Sequence, residues 1–171
     1  VETVDIGAYE MATPIIVNTL EDTVIVDEFT SLREAITAAH VIGGDNVIDF
    51  ADSLSGGTIT LNNSEIGIGS DIFIRGLGRD NLTIDANDMS QHFVNNGASI
   101  STIADVRLTG GNDVQTDFGL GGSIENDGIL NIAGVKFDNN YSRYRGGAIY
   151  NHDGSDLTIL NSNFIENTSN Y

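Results

Sequence analysis

Gly121-Gly122-Ser123-Ile124-Glu125-Asn126 and, 25 residues later, Gly146-Gly147-Ala148-Ile149-Tyr150-Asn151 are two copies of one phrase. Each is followed by a second match. Ile129-Leu130-Asn131-Ile132 and Val135-Lys136-Phe137-Asp138-Asn139-Asn140 answer to Leu157-Thr158-Ile159-Leu160 and Ser162-Asn163-Phe164-Ile165-Glu166-Asn167. A period in this range, built of short β-prone runs between Gly and Asn turns, marks a stacked solenoid. The alignment superposes Ile103, Ile132 and Ile159, and also Leu108, Phe137 and Phe164. Like side chains at matched positions are what parallel rungs need, because each sits about 4.8 Å above its copy. A sandwich or barrel would share the strand spacing of about 8 to 12 residues but not this superposition.

Outward from the repeat, short strands are expected at 47–50, 58–61, 71–75, 82–85, 92–94, 102–108, 123–125, 130–132, 135–137, 148–150, 157–160 and 163–165. Earlier still, Ile15-Ile16-Val17 and Val24-Ile25-Val26 read as two strands joined by a polar turn. Between them and the repeats lies one helix, expected over 31–40. Ser31 followed by Glu34 forms a capping box. Leu32, Ala35, Ile36 and Ala39 fall on one face, and Gly43-Gly44 ends the segment. A helix this short is unstable alone and suits a lid across an apolar end. Asn126 over Asn151 and Asn140 over Asn167 fit either amide ladders along the rod or turns that tolerate left-handed backbone.

The formal charge is −18, from 7 basic and 25 acidic residues, which argues against nucleic acid or an anionic membrane as partner. No apolar run approaches the roughly 20 residues of a membrane span. There is no cysteine, so disulfides do not hold the fold. The chain opens at Val1 without an initiator Met, as expected of a processed or excised piece.

Thr30-Ser31-Leu32-Arg33-Glu34-Ala35-Ile36 resembles the "SLREAI" segment that opens many bacterial cell-surface right-handed parallel β-helix domains. The Gly-Gly-Ala-Ile-Tyr-Asn and Leu-Thr-Ile-Leu-Asn-Ser-Asn-Phe-Ile-Glu-Asn phrases resemble rungs of those domains and polymorphic outer-membrane-protein repeats. Val4-Asp5-Ile6-Gly7-Ala8-Tyr9-Glu10 is similar to the segment that usually closes such a domain, yet here it precedes the cap. The resemblance implies that the helix at 31–40 is an N-terminal cap and that the setting is extracellular, at the cell surface. It does not fix an activity, since the fold serves adhesins, structural proteins and polysaccharide-degrading enzymes.

The expected fold is therefore all-β, a right-handed parallel β-helix over 11–171 with a short capping α-helix. Residues 1–10 form a closing or donor strand, with Val4, Ile6 and Ala8 on one side and Tyr9 on the other. Two arrangements fit that head segment. The chain is a piece of a tandem array of such domains, or Val4, Ile6 and Ala8 of one copy complete the open rung of the next at Leu157, Ile159 and Phe164. The second contact does not close on itself and builds a fibre.

The residues for chemistry are sparse. His40, His92 and His152 lie far apart in sequence, and no nucleophile elbow is present. The nearest catalytic constellation is Arg75, Arg79, Asp85, Asn87 and Asp88, while Arg107 and Lys136 read as a solvated outer face balanced by acids. Asp/Asn turns at 45–46 and 85–88 supply hard oxygens that suit Ca²⁺, although no calcium-loop motif recurs. The reading is a non-enzymatic structural or adhesive module without a resident cofactor. Its partners are copies or tandem domains of itself, with a surface polysaccharide as a further ligand. A carbohydrate-active β-helix and a passive spacer of a large surface protein are the alternatives.

Overall fold

A computed structural model describes residues 13–62, 64–113 and 120–170, without the side chains of Ala98 and Ser99. The chain forms a parallel β-solenoid. After β1 (Ile15–Val17) and α1 (Leu32–Ile42), successive coils contribute β2 (Asn46–Phe50) and β3 (Gly57–Thr60), then β4 (Ile66–Gly67), β5 (Ile72–Arg75) and β6 (Leu82–Asp85). The next coil holds β7 (Phe93–Ala104), β8 (Arg107–Thr109) and β9 (Asn112–Asp113). The two copies of the repeat supply β10 (Ile124–Ala133), β11 (Lys136–Asp138) and β12 (Tyr141–Ser142), then β13 (Ile149–Asn151), β14 (Asp156–Leu160), β15 (Asn163–Ile165) and β16 (Thr168–Ser169).

These strands stack into three parallel sheets. Sheet A runs β1-β2-β5-β7-β10-β13, with β14 also on β10 and β4 on β7. Sheet B runs β15-β11-β8-β6-β3, and sheet C runs β16-β12-β9. Register is set by like residues. One interior column of sheet A is Ile15, Ile48, Ile74, Ile103, Ile132, Ile159. The matching column of sheet B is Ile59, Ile84, Leu108, Phe137, Phe164. A one-residue slip would turn each column outward, so burial of one face fixes the pairing.

The corners explain the Gly and Asn content. Asp105, Gly134 and Asn161 form one column of left-handed residues between sheets A and B, and Gly110, Asn139 and Glu166 form another between B and C. The repeated Gly-Gly phrase has a separate cause, close approach. Gly121 bridges Gly146, and a Cβ on Gly122 would collide with the Gly147 carbonyl.

Amide ladders form at two places, within the bend of sheet A and at the corner between sheets B and C. Asn95 Nδ2 donates to Asn126 Oδ1 at 2.7 Å, and Asn126 Nδ2 donates to Asn151 Oδ1 at 2.6 Å. Asn140 Nδ2 donates to Asn167 Oδ1 at 2.8 Å. Of the two readings the ladder holds at Asn126, Asn140, Asn151 and Asn167, none of which has left-handed backbone; the left-handed asparagines are Asn87, Asn139 and Asn161.

The cap is as the sequence dictates. Ser31 Oγ accepts from Glu34 N, and the Glu34 carboxylate accepts from Ser31 N. Leu32, Ala35, Ile36 and Ala39 are buried over the end of the core. The helix runs to Ile42, two residues beyond the expected end.

One expected strand is absent. Val24-Ile25-Val26 forms no strand, pairs with no strand among the described residues and is exposed. The expected strand over 102–108 is divided in two by the left-handed turn at Asp105. Residues 1–10, and with them Val4, Ile6, Ala8 and Tyr9, lie outside the described residues.

Candidate functional site at the open end of the solenoid

Each interior column ends on an uncovered residue. Ile103 and Ile132 are 0% and 1% exposed, while Ile159, next in the column, is 40% exposed. Leu108 and Phe137 are fully buried, while Phe164 is 46% exposed. The Phe164 ring stacks on Phe137 with centroids 4.8 Å apart and planes 9° from parallel, so its other face is the free one. Leu157 is half-buried above the fully buried Leu130. With Ala148 and Ile149, these side chains line a concavity of about 400 Å³. The three interface residues expected from the repeat are thus brought together on one surface.

The backbone there is equally incomplete. Among the described residues β14, β15 and β16 each pair on one side only, with β10, β11 and β12 respectively. A parallel strand edge with apolar side chains beside it is a template for adding a strand.

At the opposite end the loop before the helix is tied down by a buried ion pair. Asp22, whose side chain is fully buried, accepts from Arg33 Nε and Nη2, both at 2.8 Å, and from Asn62 N at 2.7 Å. Arg33 also donates to the carbonyls of Ser64 and Glu65. The loop nevertheless leaves Val24, Ile25, Val26 and Phe29 exposed, and Val41 and Ile42 at the end of α1 are exposed as well. Sequence reasoning missed this second apolar end, because nothing in the pattern distinguishes an unpartnered β-prone run from a paired one.

The candidate catalytic residues are dispersed. Arg75, on sheet A, makes a two-pronged pair with Asp49 at 2.8 and 2.6 Å. Arg79, in the turn after it, donates to the Asn161 carbonyl at 2.7 Å. Asp85, on sheet B, accepts from Asn87 N, which closes a local turn. Arg107 and Lys136 stack outward on sheet B and share Asp138, with Arg107 making the two-pronged contact at 2.8 and 2.6 Å. Burial works against ionisation of Asp138, but the Arg107 hydrogen bonds and charge, with Lys136 behind, outweigh it and hold the carboxyl below its usual range.

The histidines do not converge. His40 is exposed in the last turn of α1, His152 meets Glu125 at 2.7 Å, and His92 is fully buried. Among the described residues no group of three His, Cys, Asp or Glu side chains is placed to hold a metal ion. Of the turns that suit calcium, Asn46 directs its amide nitrogen at the carbonyls of Ala39, Gly43 and Gly44, where it caps the helix instead.

No family model, curated protein or solved structure matches this chain. Its functional reading therefore rests on its own residues. One further surface feature is a concavity of about 670 Å³ on the outer face of sheet A, lined by Pro14, Val47, Phe73, Ile100 and Thr102 with Arg75 at its rim. Arg75 lies over the Phe73 ring at 5.9 Å from its centroid, a cation–π contact. No described helix is long and apolar enough to cross a membrane.

Proposed function

We propose that the chain is an extracellular structural and adhesive module, in which stacking rather than catalysis is the working chemistry. The observation that carries this reading is the bare last coil, where Ile159 and Phe164 stand 40% and 46% exposed above the buried Ile132 and Phe137. Covering such half-exposed side chains is worth on the order of 1 kcal/mol each, given about 1.5–3 kcal/mol for complete burial. Backbone pairing along β14, β15 and β16 adds to it.

The donor is the head segment of another copy, whose Val4, Ile6 and Ala8 alternate as an added strand requires while Tyr9 lies on the other side. A head-to-tail contact of this kind repeats without closing and yields a fibre. The net charge of −18 suits a solvated surface and keeps fibres apart laterally. The dispersal of Arg75, Arg79 and Asp85 into separate contacts supports a non-enzymatic role.

The test compares the 171-residue chain with a variant lacking residues 1–10, by electron microscopy and sedimentation over a concentration series. Filaments from the full chain and monomers from the shortened one are expected. A shortened chain that still polymerises end to end would remove the donor strand from this reading. Soluble monomers of the full chain that depolymerise an acidic polysaccharide would favour a carbohydrate-active β-helix instead.

A further inference from the structure

Resting on that reading, we propose that the cap itself is the other half of the joint: β1 and the loop before α1 of one copy seat on the last coil of a second copy. Three observations converge on this partner.

The first is register. β1 and the β13/β14 pair are the two terminal edges of sheet A, and among the described residues each pairs on its inner side only. Every pairing in the sheet is parallel, so a second copy stacked along the axis presents its β1 to β14 in the sense the sheet already uses. Continuing the columns places Ile15 of the incoming copy on Ile159, and Ile16 on Leu160. Ile15 is the first member of the isoleucine column whose last member is Ile159, so the joint repeats a contact made five times within the chain. Ile16 and Leu160, 46% and 58% exposed, are its outward counterparts.

The second is the unpartnered loop. Val24-Ile25-Val26 has the composition of a strand and lies exposed, and the N–H groups of Val24 and Val26 make no hydrogen bond with the described residues. Together with Phe29 they give the cap end an apolar surface facing the same kind of surface at Phe164 and Ile165 of the neighbour.

The third is charge. Of the seven basic residues, Arg33, Arg75, Arg107 and Lys136 are ion-paired, and Arg79 is bonded to a carbonyl. Arg143 and Arg145, on the turn that leads into the last coil, have no ion pair among the described residues; they rest on Tyr144 and Tyr150. The cap loop carries Glu21, Asp27 and Glu28, also without ion pairs among the described residues. The last coil also carries Asp153, Asp156 and Glu166 without ion pairs among the described residues, so Arg143 and Arg145 are the cations left to meet the acids of the cap loop, and their place at the tail gives the joint its direction. This joint divides the open coil differently: β1, rather than residues 1–10, takes the edge of β14, and the head segment keeps the edges of β15 and β16.

The test uses exposed positions, so the fold is not at stake. Sedimentation and electron microscopy compare the wild-type chain with Ile16→Asp/Val26→Asp, with Arg143→Glu/Arg145→Glu, and with the latter combined with Asp27→Arg/Glu28→Arg. Circular dichroism and melting confirm that each is folded. We expect the first two variants to need at least tenfold more protein to assemble, and the combined charge swap to recover wild-type assembly. Unchanged assembly by Ile16→Asp/Val26→Asp overturns the proposal. If that variant assembles while the chain lacking residues 1–10 does not, the donor strand stands and the cap joint falls. If the pattern is reversed, the donor strand falls and the cap joint stands. A wild-type chain that stays monomeric at every concentration overturns both.

Discussion

His92 lies inside the coil with Nε2 3.0 Å from the Ile84 carbonyl and Nδ1 3.0 Å from Ser123 Oγ. A carbonyl only accepts, so Nε2 carries the proton and Nδ1 accepts from the Ser123 hydroxyl. Both contacts suit a neutral ring, and burial pushes its pKa down to about 4 from 6.5, against opposing effects from nearby carbonyls and Asp85. Between those values the unfolded chain binds a proton that the folded chain refuses, so stability rises with pH. The contribution is complete above pH 6.5, and about 3 kcal/mol of it is gone by pH 4, at 1.36 kcal/mol per pH unit. The carboxyls of Glu34 and Asp138, both held below their ordinary 4.5 and 3.8, add stability that is lost only as pH falls through their lower folded values. Urea unfolding at pH 7 and pH 4.5 is expected to show this loss in the wild type and a flatter profile in His92→Leu. Equal slopes in the two proteins would show that His92 is not the titrating group. Nothing in the sequence marks this residue, since a histidine in a short strand reads the same whether it faces the core or solvent.

Among the elements, the cap is legible because its signal is local, whereas the long β7 and β10 were expected only as shorter pieces at 92–94, 102–108, 123–125 and 130–132. Ser31 and Glu34 stand at capping-box spacing, and Leu32, Ala35, Ile36 and Ala39 define a face, so the helix follows from a dozen residues. Sheet C is illegible for the opposite reason. Its members, Asn112–Asp113, Tyr141–Ser142 and Thr168–Ser169, are two residues long and polar, and only stacking makes them strands. Val24–Val26 errs in the other direction, having β propensity without a strand partner among the described residues. The Asp22–Arg33 pair was also hidden, because it depends on where the loop before α1 meets the first coil. It holds the cap: Asp22→Asn removes the buried charge that the partly exposed Arg33 pairs with and is expected to cost about 3 kcal/mol, the low end for breaking a buried pair. Thermal melting reads this as a fall on the order of 6–12 °C, at roughly 2–4 °C per kcal/mol for a chain of this size. A shift within 1 °C would mean that the pair contributes little to seating the helix.

At the scale of the whole molecule, the solenoid is a one-dimensional stack in which each coil is stabilised by its neighbours. Its middle coils pair on both sides, while β1 and β14–β16 pair on one side only among the described residues. The exposure at the tail was readable from the repeat, since Leu157, Ile159 and Phe164 occupy positions whose earlier copies are core. That at the head was not, because Ile15 and Ile16 become edge residues only once β1 has paired with β2. Cysteine is absent, so an introduced pair reports on the joint alone. With Ile16→Cys and Leu160→Cys in one chain, stacking along the axis brings the two Cα atoms of neighbouring copies to about 4.8 Å, within disulfide range. Mild oxidation followed by denaturing electrophoresis is then expected to give a ladder of covalent multimers, with no ladder from either single variant. A folded double variant that runs only as monomer after oxidation would contradict head-to-tail stacking through sheet A.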